Sequence, residues 1–308
     1  MSGPARIVSL IASATEIVCA LGLQDRLVGI SHECDYPSKI TGLPRLSQPK
    51  LDPRAPSADI DQRVRDLVSE GLSIYRIDVD RLQQLAPDLI VTQDQCAVCA
   101  VSLRDVENAC RLLTGLECRV VSCEPHCLAD IDDDVRKIAE AAGIAEAGEG
   151  LIRDMRATLD AVRQRTRGSS RPRVACVEWI DPPMIGGGWV PELVEAAGGT
   201  PLIVDEPVRF RQVTWDEIET VDPEVVVVMP CGFPIDQTRQ ELNAGGEAAQ
   251  RLAKLKATRN GRTVLVDGNA WFNRPGPRLV QSAEILEAVL HPGTRPCENR
   301  FEIWNPAG

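Results

Sequence analysis

Apolar and polar positions follow one another along this chain in blocks that predict short strands alternating with amphipathic helices. Ile7 to Ile11 is a compact apolar run, Thr15 to Leu21 has helical spacing and stops at Gly22, and Leu27 to Ile30 is apolar again. Ser13-Ala14-Thr15-Glu16 carries capping-box spacing at the start of that first helix. Prolines and glycine crowd Thr41 to Pro56, which reads as an irregular loop. A helical period follows from Ser57 to Glu70, and later ones run from Leu103 to Leu113, Leu128 to Ala142 and Ala145 to Arg167. A strand is predicted over Cys118 to Val121. The second half restarts with a strand at Arg173 to Val177, a helix at Val190 to Ala197, a helix at Glu247 to Leu255, a strand at Thr263 to Val266 and a last helix at Arg278 to Leu290. Helices between short strands imply parallel strands joined by crossovers, hence an α/β fold.

Two stretches share one grammar. Pro87-Asp88 precedes the buried run Leu89 to Val91, and Pro223-Glu224 precedes Val225 to Val228; each is led by an acidic amphipathic segment, from Asp80 and from Asp216. Matched strands in matched contexts predict two related lobes. The expected division is residues 1–144 for the N-terminal α/β lobe, 145–167 for a long connecting helix and 168–308 for the C-terminal α/β lobe.

Composition narrows the function classes. The 308 residues are 44% apolar with a formal net charge of −11, so a nucleic-acid groove or an anionic membrane surface would repel the average field of the protein. No run approaches the ~20 apolar residues that a membrane helix needs, so the chain is not expected to insert in a membrane. Ile7 to Leu23 is broken by Glu16 and lacks the charge pattern of an export signal. Eleven cysteines, an odd number, in a chain with ample apolar residues fit reduced thiols better than a disulfide framework. The expected location is therefore cytoplasmic, or periplasmic if a signal precedes this sequence.

In open parallel sheets, ligands bind beyond the carboxyl ends of the strands. The residues just past each predicted strand include His32, Cys34, Tyr36, Gln93, Gln95, Cys96, Cys99, Cys123, Trp179, Trp189, Cys231, Phe233, Trp271, Phe272 and Arg274. Aromatic rings with a few polar groups suit a broad, partly apolar ligand. The soft donors His32, Cys34, Cys96, Cys99, Cys123 and Cys231 would equally suit zinc or iron, and Cys96-Ala97-Val98-Cys99 has zinc-knuckle and redox spacing. Gly186 to Gly188 matches neither a dinucleotide fingerprint nor a phosphate loop, there is no Gly-x-Ser-x-Gly elbow, and three histidines offer few general bases. No enzymatic apparatus is visible.

Several of these pieces taken together resemble the class III substrate-binding proteins of ABC importers, in their vitamin B12-binding branch. They are Arg6 to Leu10, Ala14-Thr15-Glu16-Ile17, Cys34-Asp35-Tyr36-Pro37, Leu85 to Ile90, Trp189 to Leu193 with Gly198-Gly199, the Trp215 to Val228 segment, and Asp267-Gly268-Asn269. His32 to Pro37 and Gln93 to Cys99 further resemble a cysteine-bearing subgroup of that branch. The resemblance implies two α/β lobes joined by a single long helix with a ligand cleft between them, and non-enzymatic binding of cobalamin or a related corrinoid as carrier, sensor or importer receptor. On this reading the strand-exit residues His32, Tyr36, Gln93, Gln95, Trp179, Trp189, Phe233, Trp271, Phe272 and Arg274 are expected to contact the ligand, and the resemblance implies that Asp80 and Asp216 dock on an ABC permease. The alternative is a Cys/His metal or metal-cofactor protein built on the thiols named above.

Overall fold

A computed structural model describes residues 3, 5–70, 74–93, 118–204, 210–293 and 300–306. The chain divides into two units, Met1–Pro53 with Gln62–Met155, and Arg54–Asp61 with Arg156–Gly308. The dividing point falls inside the long helix Ala145–Arg165, which is continuous and ends two residues before the predicted Arg167.

In the first unit the strands are β1 (Ile7–Ser9), β2 (Leu27–Ile30), β3 (Ser47–Pro49), β4 (Tyr75–Ile77), β5 (Leu89–Gln93) and β6 (Arg119–Cys123). Four of them form a parallel sheet in the order β2-β1-β5-β6, while β3 and β4 pair antiparallel in a small sheet of their own. Neighbouring residues of a strand point to opposite faces, and both faces here are apolar. Ile7, Leu89 and Val91 enter one core with Ile17 and Val18 of the helix Ala12–Ala20 and Val135 and Ile138 of the helix Leu128–Ala141. Val8 and Ile90 enter another with Leu46 and Leu82. Gly29 of β2 permits the second packing, since a Cβ there would come 2.7 Å from Leu46 Cδ1 and 2.9 Å from Leu85 Cδ1.

The predicted capping box does not form. The helix starts at Ala12 behind Ile11, which offers no side-chain cap, and Ser13, Thr15 and Glu16 are buried within its first turns. Thr15 Oγ1 instead donates to Ser9 Oγ at 2.8 Å, so its hydroxyl ties helix to strand. A capping box occurs at Thr214 and Glu217, at the start of the helix Trp215–Thr220. The predicted Leu103 to Leu113 helix lies outside the described residues.

The second unit holds β7 (Arg173–Trp179), β8 (Met184–Ile185), β9 (Thr200–Pro201), β10 (Arg211–Gln212), β11 (Val225–Val228), β12 (Thr263–Val266) and β13 (Phe301–Ile303). They run in the order β10-β8-β7-β11-β12-β13, with β9 beside β7. The β7-β11-β12 centre is parallel, but β8, β10 and β13 are antiparallel, so this sheet is mixed rather than purely parallel. Val225–Val228 is fully buried, as a central strand covered on both faces requires. Val226 and Val228 pack with Trp215, Ile218 and Leu252.

The segment Arg54–Asp61 groups with this second unit for a visible reason. Ser57, the first residue of the helix Ser57–Ser69, donates its backbone N–H to Glu241 Oε2 at 3.0 Å and its hydroxyl to Glu241 Oε1, and accepts the Asp181 N–H at 3.0 Å. Among the described residues no helix is long and apolar enough to cross a membrane.

Candidate functional site

The exits of β7, β11 and β12 make a continuous rim in the second unit. Backbone bonds stitch them together. Cys231 N–H donates to Glu178 O at 3.1 Å, Met229 N–H to Val177 O at 2.9 Å, and Gly268 N–H to Phe233 O at 2.9 Å. Asn273 Nδ2 spans two of the exits, donating to Met229 O and Gly268 O, each at 3.0 Å. Gly268 is obligatory there, since a Cβ would fall 2.0 Å from Pro230 O and 2.7 Å from Met229 O.

On this rim the aromatic residues divide into two kinds. Trp179, the last residue of β7, is half-buried and packs edge-on against Phe233 with ring centroids 5.2 Å apart. Its indole N–H is buried with no hydrogen-bond partner among the described residues. Trp271, past β12, is also half-buried, with the Arg278 and Arg300 guanidinium carbons 5.0 and 5.1 Å from its ring centroid. Arg274 donates to Asn269 Oδ1 at 3.0 Å.

Trp189, Phe233 and Phe272 belong to the interior, at 3%, 2% and 0% exposure. Trp189 spends its indole N–H on Phe272 O at 2.6 Å, and its ring packs edge-on against Phe210. Their role in this structure is to hold the rim from beneath. Phe272 adopts φ 64°, a conformation that a bulky residue takes only when its surroundings enforce it. Ser282 Oγ accepts its N–H at 3.0 Å while Trp189 holds its carbonyl.

The corresponding rim of the first unit is more polar. His32, past β2, has Nδ1 2.8 Å from Ser47 Oγ, and that same oxygen accepts the His32 backbone N–H at 3.1 Å. The ring lies 5.1 Å from Tyr75, whose hydroxyl donates to Glu33 Oε1 at 3.3 Å, and Glu33 Oε1 is 3.7 Å from His32 Nε2. Burial, and after it the Arg45 charge, hold the His32 pKa down to about 4, so the ring is neutral at pH 7. Arg45 Nη1 gathers the turn by donating to the carbonyls of Ser31, His32 and Cys34 at 2.9, 3.0 and 2.7 Å. Tyr36, 46% exposed and joined to Pro37 by a cis peptide, stands outward, while Gln93 is buried at the end of β5.

The metal expectation finds no support among the described residues. Among the described residues no group of three or more His, Cys, Asp or Glu is placed to hold a metal ion. Cys34 is fully buried with Sγ 3.0 Å from Thr15 Oγ1, and burial raises its pKa; Cys123, in the same core, is raised further by the same cause. Without a metal, burial favours the protonated thiol at both positions. Cys231 is half-buried on the second unit's rim. Cys96, Cys99 and Gln95 lie outside the described residues. Asp80 and Asp216 are both exposed in the first turns of the helices Val79–Leu85 and Trp215–Thr220, and Asp216 is paired with Arg251.

Units of helices on parallel strands, each with a side-chain rim at the strands' carboxyl ends, define an α/β ligand-binding protein. Residues 7–270 match the periplasmic binding protein family, and the chain belongs to it. Relatives include the vitamin B12-binding protein of Vibrio cholerae, 24% identical over 289 residues that cover 92% of this chain and 88% of the relative. The vitamin B12-binding protein of Yersinia pestis is 25% identical over 284 residues, covering 91% and 84%. Among solved structures, the periplasmic vitamin B12 binding protein BtuF of Vibrio cholerae has a TM-score of 0.67 at 22% identity, covering 93% of this chain and 96% of that one. A periplasmic heme binding protein from Pseudomonas aeruginosa reaches 0.71 at 20% identity, with 95% of each chain covered. Both of these solved structures are described as periplasmic, and the cytoplasmic expectation finds no support in the comparisons.

Proposed function

We propose that this protein is a non-enzymatic receptor for cobalamin or a related corrinoid, serving an importer. The observation that carries the reading is Trp179, an indole at the carboxyl end of a central parallel strand whose N–H has no partner among the described residues. The half-buried ring offers a ligand apolar contact there, and an unmade N–H bond costs free energy that a rearrangement on binding would recover. Trp271 and Arg274 stand on the same rim and would add stacking and hydrogen bonding to peripheral amides. Tyr36, Gln93 and His32 are the first unit's candidates. The relatives named for vitamin B12, and the structural neighbour named for haem, support a large flat macrocycle as the ligand class. An ABC permease is the partner this reading implies, with Asp80 and Asp216 as its docking acids.

Titrating purified protein with cyanocobalamin, followed by visible spectroscopy and calorimetry, tests the proposal. Binding at micromolar concentration or tighter is expected, weakened about tenfold by Trp179→Ala. Absence of binding at micromolar concentration overturns it.

A further inference from the structure

The second unit's rim also carries positive charge in an otherwise acidic molecule. The net charge is −11, yet Arg274, Arg278 and Arg300 lie in the Trp271 region, two of them directly over its ring. Arg274 and Arg278 are 7% and 9% exposed, so their charges act through little water. Arg278 sits at the N-cap of the twelve-residue helix Leu279–Leu290, whose first turn contains no acid. A helix N-terminus is already electropositive, and a cation there adds to that potential instead of offsetting it. The nearby Asp267 carboxylate accepts the Asn269 and Ala270 backbone N–H groups at 2.9 and 2.8 Å, in the turn that shapes the rim.

We infer that Arg278 and Arg300, whose guanidinium carbons both lie about 5 Å from the Trp271 ring centroid, form a subsite for an anionic oxygen group on the ligand's periphery. This inference rests on the macrocycle reading above and makes it narrower: the ligand is recognised by a negative group as well as by its apolar face. A planar guanidinium suits the paired oxygens of a phosphodiester or a carboxylate, and stacking on the indole fixes its orientation. The two sources of that chemistry are the phosphodiester of a corrinoid's nucleotide loop and the propionates of a haem.

Two matched ligand pairs distinguish them. Cyanocobalamin is compared with dicyanocobinamide, which lacks the phosphodiester-linked nucleotide, and haemin with its dimethyl ester. Each is titrated into the wild type, Arg300→Gln, Arg300→Lys and Arg278→Gln, with thermal melts confirming that every variant is folded. A charge-assisted bond predicts that the anionic member of one pair binds wild-type protein about tenfold or more tightly than its neutral counterpart. In Arg300→Gln that ratio should fall to about twofold, with Arg300→Lys retaining part of it. The pair that shows the ratio identifies the source. Equal binding of both members in the wild type, or a ratio unchanged in the Arg300→Gln and Arg278→Gln variants, overturns the subsite and leaves the macrocycle reading standing. Equal weakening of both members by Arg300→Gln also overturns it, since packing alone would do that. Failure of all four probes to bind removes both proposals.

Discussion

Trp189 Nε1 donates to the carbonyl of Phe272 at 2.6 Å, and with Ser282 on the other side of the same residue it fixes a left-handed phenylalanine at the base of the second unit's rim. Both partners are buried, so neither bond can be replaced by water. Ser282→Ala leaves the Phe272 N–H without its acceptor and should destabilise the protein by about 1–3 kcal/mol, and Trp189→Phe should do the same at the carbonyl. Urea unfolding of each variant measures this. A loss below a few tenths of a kcal/mol for both would show that the φ of Phe272 is held by something else.

Gly268 predicts a larger local effect from a smaller change. Its absent Cβ is opposed by the backbone oxygens of Pro230 and Met229, which cannot swing aside as a side chain would. Gly268→Ala should cost about 1–3 kcal/mol and, on the proposed function, weaken cyanocobalamin binding as well. Full retention of both in melts and titrations would mean that the rim accommodates the methyl.

Arg165 and Glu287 form a bidentate pair, at 2.8 and 2.7 Å, around a carboxylate with no solvent exposure. Arg165→Met strands that carboxylate and should cost about 3–5 kcal/mol, whereas Arg165→Met with Glu287→Leu should recover most of the loss. The double-mutant cycle is read by chemical denaturation, and equal instability of the single and double variants would contradict it.

The neutrality of His32 gives a pH dependence of fixed sign. Its pKa is about 4 in the folded chain against an ordinary 6.5, so the unfolded chain binds the extra proton first. The stabilisation is complete above about pH 6.5, declines as pH falls through the interval from 6.5 to 4, and changes no further below it. Thermal midpoints at pH 7.5 and 5 should differ more for the wild type than for His32→Gln. Identical slopes would exclude His32 as the titrating group.

Asp80 and Asp216 separate docking from local structure. Asp216 already pairs with Arg251, which also meets Glu219 and Glu247. Solvent screens exposed pairs of this kind, so Asp80→Lys with Asp216→Lys should shift the melting temperature only a little. On the proposed function, it should abolish association with the permease and leave cyanocobalamin affinity intact. Unimpaired association would return both acids to a purely helical role.

Much of the architecture was legible because apolar runs speak directly to burial. Val225–Val228 announced a central strand, and Leu89–Gln93 another. Among the strands that the pattern does not predict, Ser47–Pro49 and Phe301–Ile303 are short and contain polar residues, and their pairing rests on backbone bonds that leave no periodic signature. At the site, the exits were legible but the facing of side chains was not. Trp179 and Trp189 look alike as letters. What distinguishes them is that one indole meets a carbonyl 83 residues away while the other meets none among the described residues. Likewise, nothing in the Thr41 to Pro56 stretch marked Ser47 as the partner of His32 fifteen positions earlier.

The buried thiols carry a last consequence. Cys176 is pushed up to about 12 and Cys19 to about 11 by burial, with Cys34 and Cys123 raised for the same reason. At neutral pH a thiol with a pKa near 12 is ionised only about once in 10⁵ molecules, and the thiolate is the form that attacks disulfides and reacts with oxidants. These four sulfurs are therefore chemically quiet in an oxidising surrounding as well as in a reducing one. These four fill space in the fold, and they give the protein no cellular address.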